Sequence, residues 1–94
     1  MMKENILNLL EEYKEYLQTC KDSKKELKKK VNELKRLETL NKQHNIDVFT
    51  IENSISKITK DIEYINTEIS KGKKVIYRLN VCLNIINDEE TTEE

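Results

Sequence analysis

The sequence predicts an all-α protein: two long helices folded into an antiparallel coiled-coil hairpin, which assembles in turn into a helical bundle. Three observations carry this. Apolar residues recur in alternating steps of three and four along Val48, Ile51, Ile55, Ile58, Ile62, Ile65, Ile69, Ile76, Leu79, Leu83 and Ile86, with Gly72 the single interruption. A spacing that averages 3.5 residues keeps one stripe on one side of a helix and lets it follow a partner without drifting away. Proline is absent and glycine occurs once, so little in the chain breaks a helix. Charged residues make up 37% of the 94 residues and the hydrophobic set 36%, a balance suited to long helices sharing thin seams rather than a wide core.

The first helix is expected over about residues 3–43. Its seam runs Ile6, Leu10, Tyr13, Leu17, Cys20, Lys24, Leu27, Val31 and Leu34, with Lys24 the one charge. Glu26 with Lys30 and Glu38 with Lys42 form i,i+4 pairs in the favourable order, each worth about 0.3–0.5 kcal/mol in an isolated helix. Beyond Leu34 the spacing shifts to Leu37 and Leu40, which reads as a stammer near the end of the helix.

The turn is expected over about residues 44–47. Asn, His, Asp, Val and Thr crowd the segment 41–50, and all are mediocre helix formers. Asn45 or Asp47 can stop one helix and cap the next through a side-chain oxygen that accepts an orphan backbone N–H. The alternative is an unbroken rod of about 130 Å at 1.5 Å per residue. Folding back at Ile46 favours the hairpin, because it brings residues 6–17 opposite 75–86, the two most apolar blocks of the chain. The same pairing sets Gly72 near Cys20 and Lys24 near Glu68.

The second helix is expected over about residues 48–87, completing a single domain over 1–87. The acidic residues 88–94 have no apolar period and read as a disordered tail. Gly72 reads either as a small residue at a close approach of two backbones or as a hinge.

Function follows from what the hairpin leaves uncovered. Its open end holds more apolar surface than one partner helix can bury, and an all-round apolar helix requires burial on most sides. Ile6, Leu9, Leu10, Tyr13, Leu17, Val75, Ile76, Leu79, Cys82, Leu83 and Ile86 are therefore the expected protein interface. The expected partner is a second hairpin, giving a homo-oligomer with four helices, or a larger helical complex. A second candidate is the basic stripe of Lys21, Lys24, Lys25, Lys28, Lys29, Lys35 and Arg36, which spans an arc of about 140° over about 22 Å. Such a stripe serves either as a solvated face or as a polyanion site for an accessory protein on nucleic acid. No aromatic side chain interleaves with it, which argues against stacking on single strands. A third reading is a small inhibitor that docks one helix into a host protein's groove.

Chemistry of the enzymatic kind is not expected. His44 is the only histidine and sits in the predicted turn, with no second ligand or nucleophile at a useful spacing. No catalytic, metal-binding or cofactor-binding residue is assigned, and no small-molecule substrate or cofactor is expected. Cys20 and Cys82 lie on or beside the seam, where cysteine behaves as a small hydrophobe. Two cysteines give no disulfide framework, so a reducing cytoplasm is the expected setting. No stretch approaches a membrane span. The abundance of Lys, Asn and Ile points to an AT-rich genome.

Overall fold

The structure is a computed structural model that describes residues 2–93, with side chains described through residue 89. It is an all-α hairpin of two long helices, α1 (Met2–Gln43) and α2 (Phe49–Glu93). The chain divides into two compact units. One joins Met1–Cys20 to Glu68–Glu94 and is called here the open half; the other is Lys21–Thr67, the turn half.

In the turn half the chain reverses by a Schellman motif. Asn45 adopts a left-handed backbone with φ of 57°, a conformation that Asn tolerates better than most residues. The Ile46 N–H then reaches back to the Asn41 carbonyl at 2.8 Å and the Asn45 N–H to the Lys42 carbonyl at 3.2 Å, satisfying two orphan acceptors of α1. Asp47 opens α2, its Oδ1 accepting the Phe49 N–H at 3.0 Å. Asn45 ends one helix and Asp47 caps the other, so both expected signals are used.

The seam of the turn half follows the predicted positions. Val48 just before α2 and Ile51, Ile55, Ile58, Ile62 and Ile65 on it are half-buried, while Val31 is buried and Leu27 and Leu34 half-buried on α1. The stammer is corrected. The regular spacing continues from Leu34 to Glu38 and Asn41, both half-buried, and leaves Leu37 48% and Leu40 51% exposed. The cause is that α1 keeps its winding, so a step of three after Leu34 carries Leu37 off the seam. Glu38 is tolerated there because Lys42 Nζ lies 3.3 Å from its carboxylate and 3.9 Å from that of Glu52 on α2.

The open half pairs the first turns of α1 with the later turns of α2. Ile6, Leu10, Cys20, Ile69 and Gly72 are buried; Tyr13, Leu17, Ile76, Leu79, Leu83 and Ile86 are half-buried. Gly72 faces Leu17: a Cβ built on Gly72 would stand 3.5 Å from Leu17 Cδ1. α2 runs unbroken through Gly72 with no positive φ.

Two further expectations are corrected. The segment expected as a disordered tail is helical over its described part, since α2 extends to Glu93 rather than stopping near residue 87. Asn87, Asp88 and Glu89 include no helix breaker, and Glu is a good helix former. Glu94 lies outside the described residues. Glu26 pairs with Lys29 at 3.7 Å, one residue short of Lys30. Threonines within the helices close their hydroxyls onto the carbonyl four residues back, as Thr19 does on Glu15 and Thr59 on Ile55.

Candidate functional site

Among the described residues no side chain is fully buried, so each unit is a pair of helices and not a closed core.

The predicted interface residues divide into two kinds. Ile6 and Leu10 are buried by the hairpin itself, and Tyr13, Leu17, Val75, Ile76, Leu79, Leu83 and Ile86 are half-buried. Leu9 and Cys82 are exposed. Cys20 is buried, and both thiols are free. Sequence reasoning left Met2 and Tyr16 out of this set, although Met2, Leu9 and Tyr16 recur at intervals of seven, a second stripe beside the seam. All three are exposed. On α2, Tyr77 and Val81 are exposed on the face turned away from α1, with Tyr77 at 71%, and Ile85 is exposed beside the groove that Met2 and Ile6 also line.

Two shallow grooves lie along the open half. One, of about 480 Å³, is lined by Leu9, Glu12, Tyr13, Tyr16 and Glu68. The other, of about 270 Å³, is lined by Met2, Ile6, Cys82, Ile85, Ile86 and Glu89. In the first, the Tyr16 hydroxyl donates a 3.1 Å hydrogen bond to Glu68 Oε2, and Lys71 Nζ stands 3.8 Å from the same carboxylate. Hydrogen bonding to Cys20 first, then to Glu68, holds the Tyr16 phenol protonated and pushes its pKa up to about 12.

Of the basic stripe, Lys21, Lys25, Lys28, Lys29, Lys35 and Arg36 are exposed and Lys24 is half-buried beside the seam. Lys29 is engaged by Glu26. His44 sits in the turn, exposed, with its backbone N–H donating to the Leu40 and Asn41 carbonyls. Among the described residues no group of His, Cys, Asp and Glu is placed to hold a metal ion. No helix of the described residues is long and apolar enough to cross a membrane.

Compared with known proteins, the chain matches no family model, no curated protein and no solved structure.

Proposed function

We propose that this chain is a non-enzymatic coiled-coil interaction module that associates with copies of itself through its open half to complete a helical bundle. The observation that supports the reading is the mismatch between a regular, proline-free apolar seam and the absence of any fully buried side chain among the described residues. A seam that is only half-covered by its own hairpin gains from a further layer of helices, at about 25 cal/mol per Å² of apolar surface removed from water. Met2, Leu9 and Tyr16 on α1 and Val75 and Cys82 on α2 supply that surface. Association that stabilises the folded state makes melting depend on protein concentration. Thermal unfolding followed by circular dichroism over a hundredfold range of concentration tests this. A Tm that climbs with concentration supports self-association; an unchanged Tm, together with reversible melting, removes it.

The basic stripe supports a second reading, docking on a nucleic-acid duplex, because six of its seven cations are exposed and Asp22, Glu26 and Glu33 fall on the neighbouring arc. Titration with duplex DNA across salt separates the two. Affinity that falls steeply between about 50 and 200 mM salt favours the stripe, and no binding at the lower salt eliminates it.

A further inference from the structure

We infer that the second copy seats on one flank of the open half only, rotated about an axis parallel to the helices so that α1 of each copy lies on α2 of the other, a pairing that rests on the self-association proposed above. The flank is defined by the two helices together. At about 100° per residue, Met2, Leu9 and Tyr16 fall along one edge of the α1 seam, and Val75 and Cys82 along one edge of the α2 seam. The Tyr16–Glu68 hydrogen bond and the groove shared by Met2, Ile6, Cys82, Ile85 and Ile86 put both edges on the same side of the hairpin. The opposite flank carries Lys3, Lys14, Lys73, Asn80 and Asn87, with Leu7 as its exposed apolar residue among those described. One side of the open half is therefore apolar at heptad spacing and the other polar.

Charge selects the orientation. Along α1 from Met2 to Cys20 the acids Glu4, Glu11, Glu12 and Glu15 outnumber Lys3 and Lys14, while α2 from Glu68 to Asn87 carries Lys71, Lys73, Lys74 and Arg78 against one acid. The contact of Leu17 with Gly72 sets the levels, so Glu12 on α1 stands within about 3 Å along the axis of Arg78 on α2. Both lie at the outer rim of the apolar flank. A twofold rotation parallel to the helices preserves height and exchanges helices. It sets Glu12 over Arg78 of the second copy, twice, and Leu9 over Cys82 of the second copy. Rotation about a perpendicular axis would instead lay the acidic helix on itself, a like-charge juxtaposition that interfaces avoid.

Light scattering on the full chain and its variants tests the pairing, with circular dichroism to confirm that each remains helical. The native chain should give twice 11.2 kDa. Leu9→Lys and Cys82→Lys should return it to one copy, while Asn80→Lys on the other flank should not. Glu12→Lys and Arg78→Glu should each weaken association at least about tenfold when alone. Mixing these two variants should restore the dimer, because each mismatched pair is then replaced by a matched one. A native chain that stays at one copy at every concentration removes the self-association itself. A dimer that Leu9→Lys leaves intact but Val81→Lys breaks, a mass above two copies, or a mixture that fails to recover overturns the flank and orientation while self-association stands.

Discussion

The hydroxyl of Tyr16 on α1 donates a 3.1 Å hydrogen bond to the carboxylate of Glu68 on α2, tying the two arms of the open half across its apolar flank. With hydrogen bonding to Cys20 and Glu68 raising the phenol pKa to about 12 from an ordinary 10.0, the folded state binds a proton that the unfolded state releases first. The stability gained is complete below pH 10 and disappears as pH rises through about 12. Melting of the native chain and of Tyr16→Phe should therefore converge across this window. A gap between them that is unchanged from pH 8 to pH 12 would contradict the hydrogen bond's role.

Gly72 offers a gain in stability. Its Cβ position lies 3.5 Å from Leu17 Cδ1, an ordinary contact distance, and its backbone is helical. Gly72→Ala should add about 1 kcal/mol, the difference in helix propensity, and raise the Tm by about 4–8 °C. A fall in Tm would mean that the two helices approach more closely there or that the glycine serves as a hinge.

The reversal at the turn should respond in opposite senses to two substitutions at one position. Asn45→Gly relieves the left-handed backbone and should hold or raise stability, whereas Asn45→Val should lower it, by about 1 kcal/mol or more. Asp47→Ala removes the acceptor of the Phe49 N–H and should cost about 1 kcal/mol. Chemical denaturation of the three variants checks all of this.

Seam and surface aliphatic side chains should separate cleanly. Ile69 is buried, so Ile69→Ala should cost about 2 kcal/mol or more. Leu37→Lys and Leu40→Lys, on half-exposed positions off the seam, should change stability by less than about 0.5 kcal/mol each. A large loss at Leu37 would restore the stammer that the structure rejects.

The α2 seam could be read directly from the sequence, because a spacing of three and four from Val48 to Ile86 maps onto a single helix face whatever covers it. The turn was equally visible in Asn45 and Asp47, whose side chains have few other uses between two helices. Leu37 and Leu40 misled because hydrophobicity alone marked them as seam, whereas a rigid helix admits Glu38 and Asn41 once Lys42 neutralises the carboxylate. The contact that sets Leu17 against Gly72 was hidden, since sliding one helix past the other by a turn preserves apolar-against-apolar pairing. Which flank stays uncovered was also hidden, because it depends on the joint placement of Met2, Leu9 and Tyr16 with Cys82. Only the interval of seven hinted at it.

The molar mass of the chain in solution, measured by light scattering at about 10–100 μM in reducing buffer, bears most directly on the claim that each hairpin is half of a core. A mass twice 11.2 kDa is expected, with Leu9→Lys halving it. A single-copy mass across the whole range, from a chain that is fully helical and melts cooperatively, would contradict it.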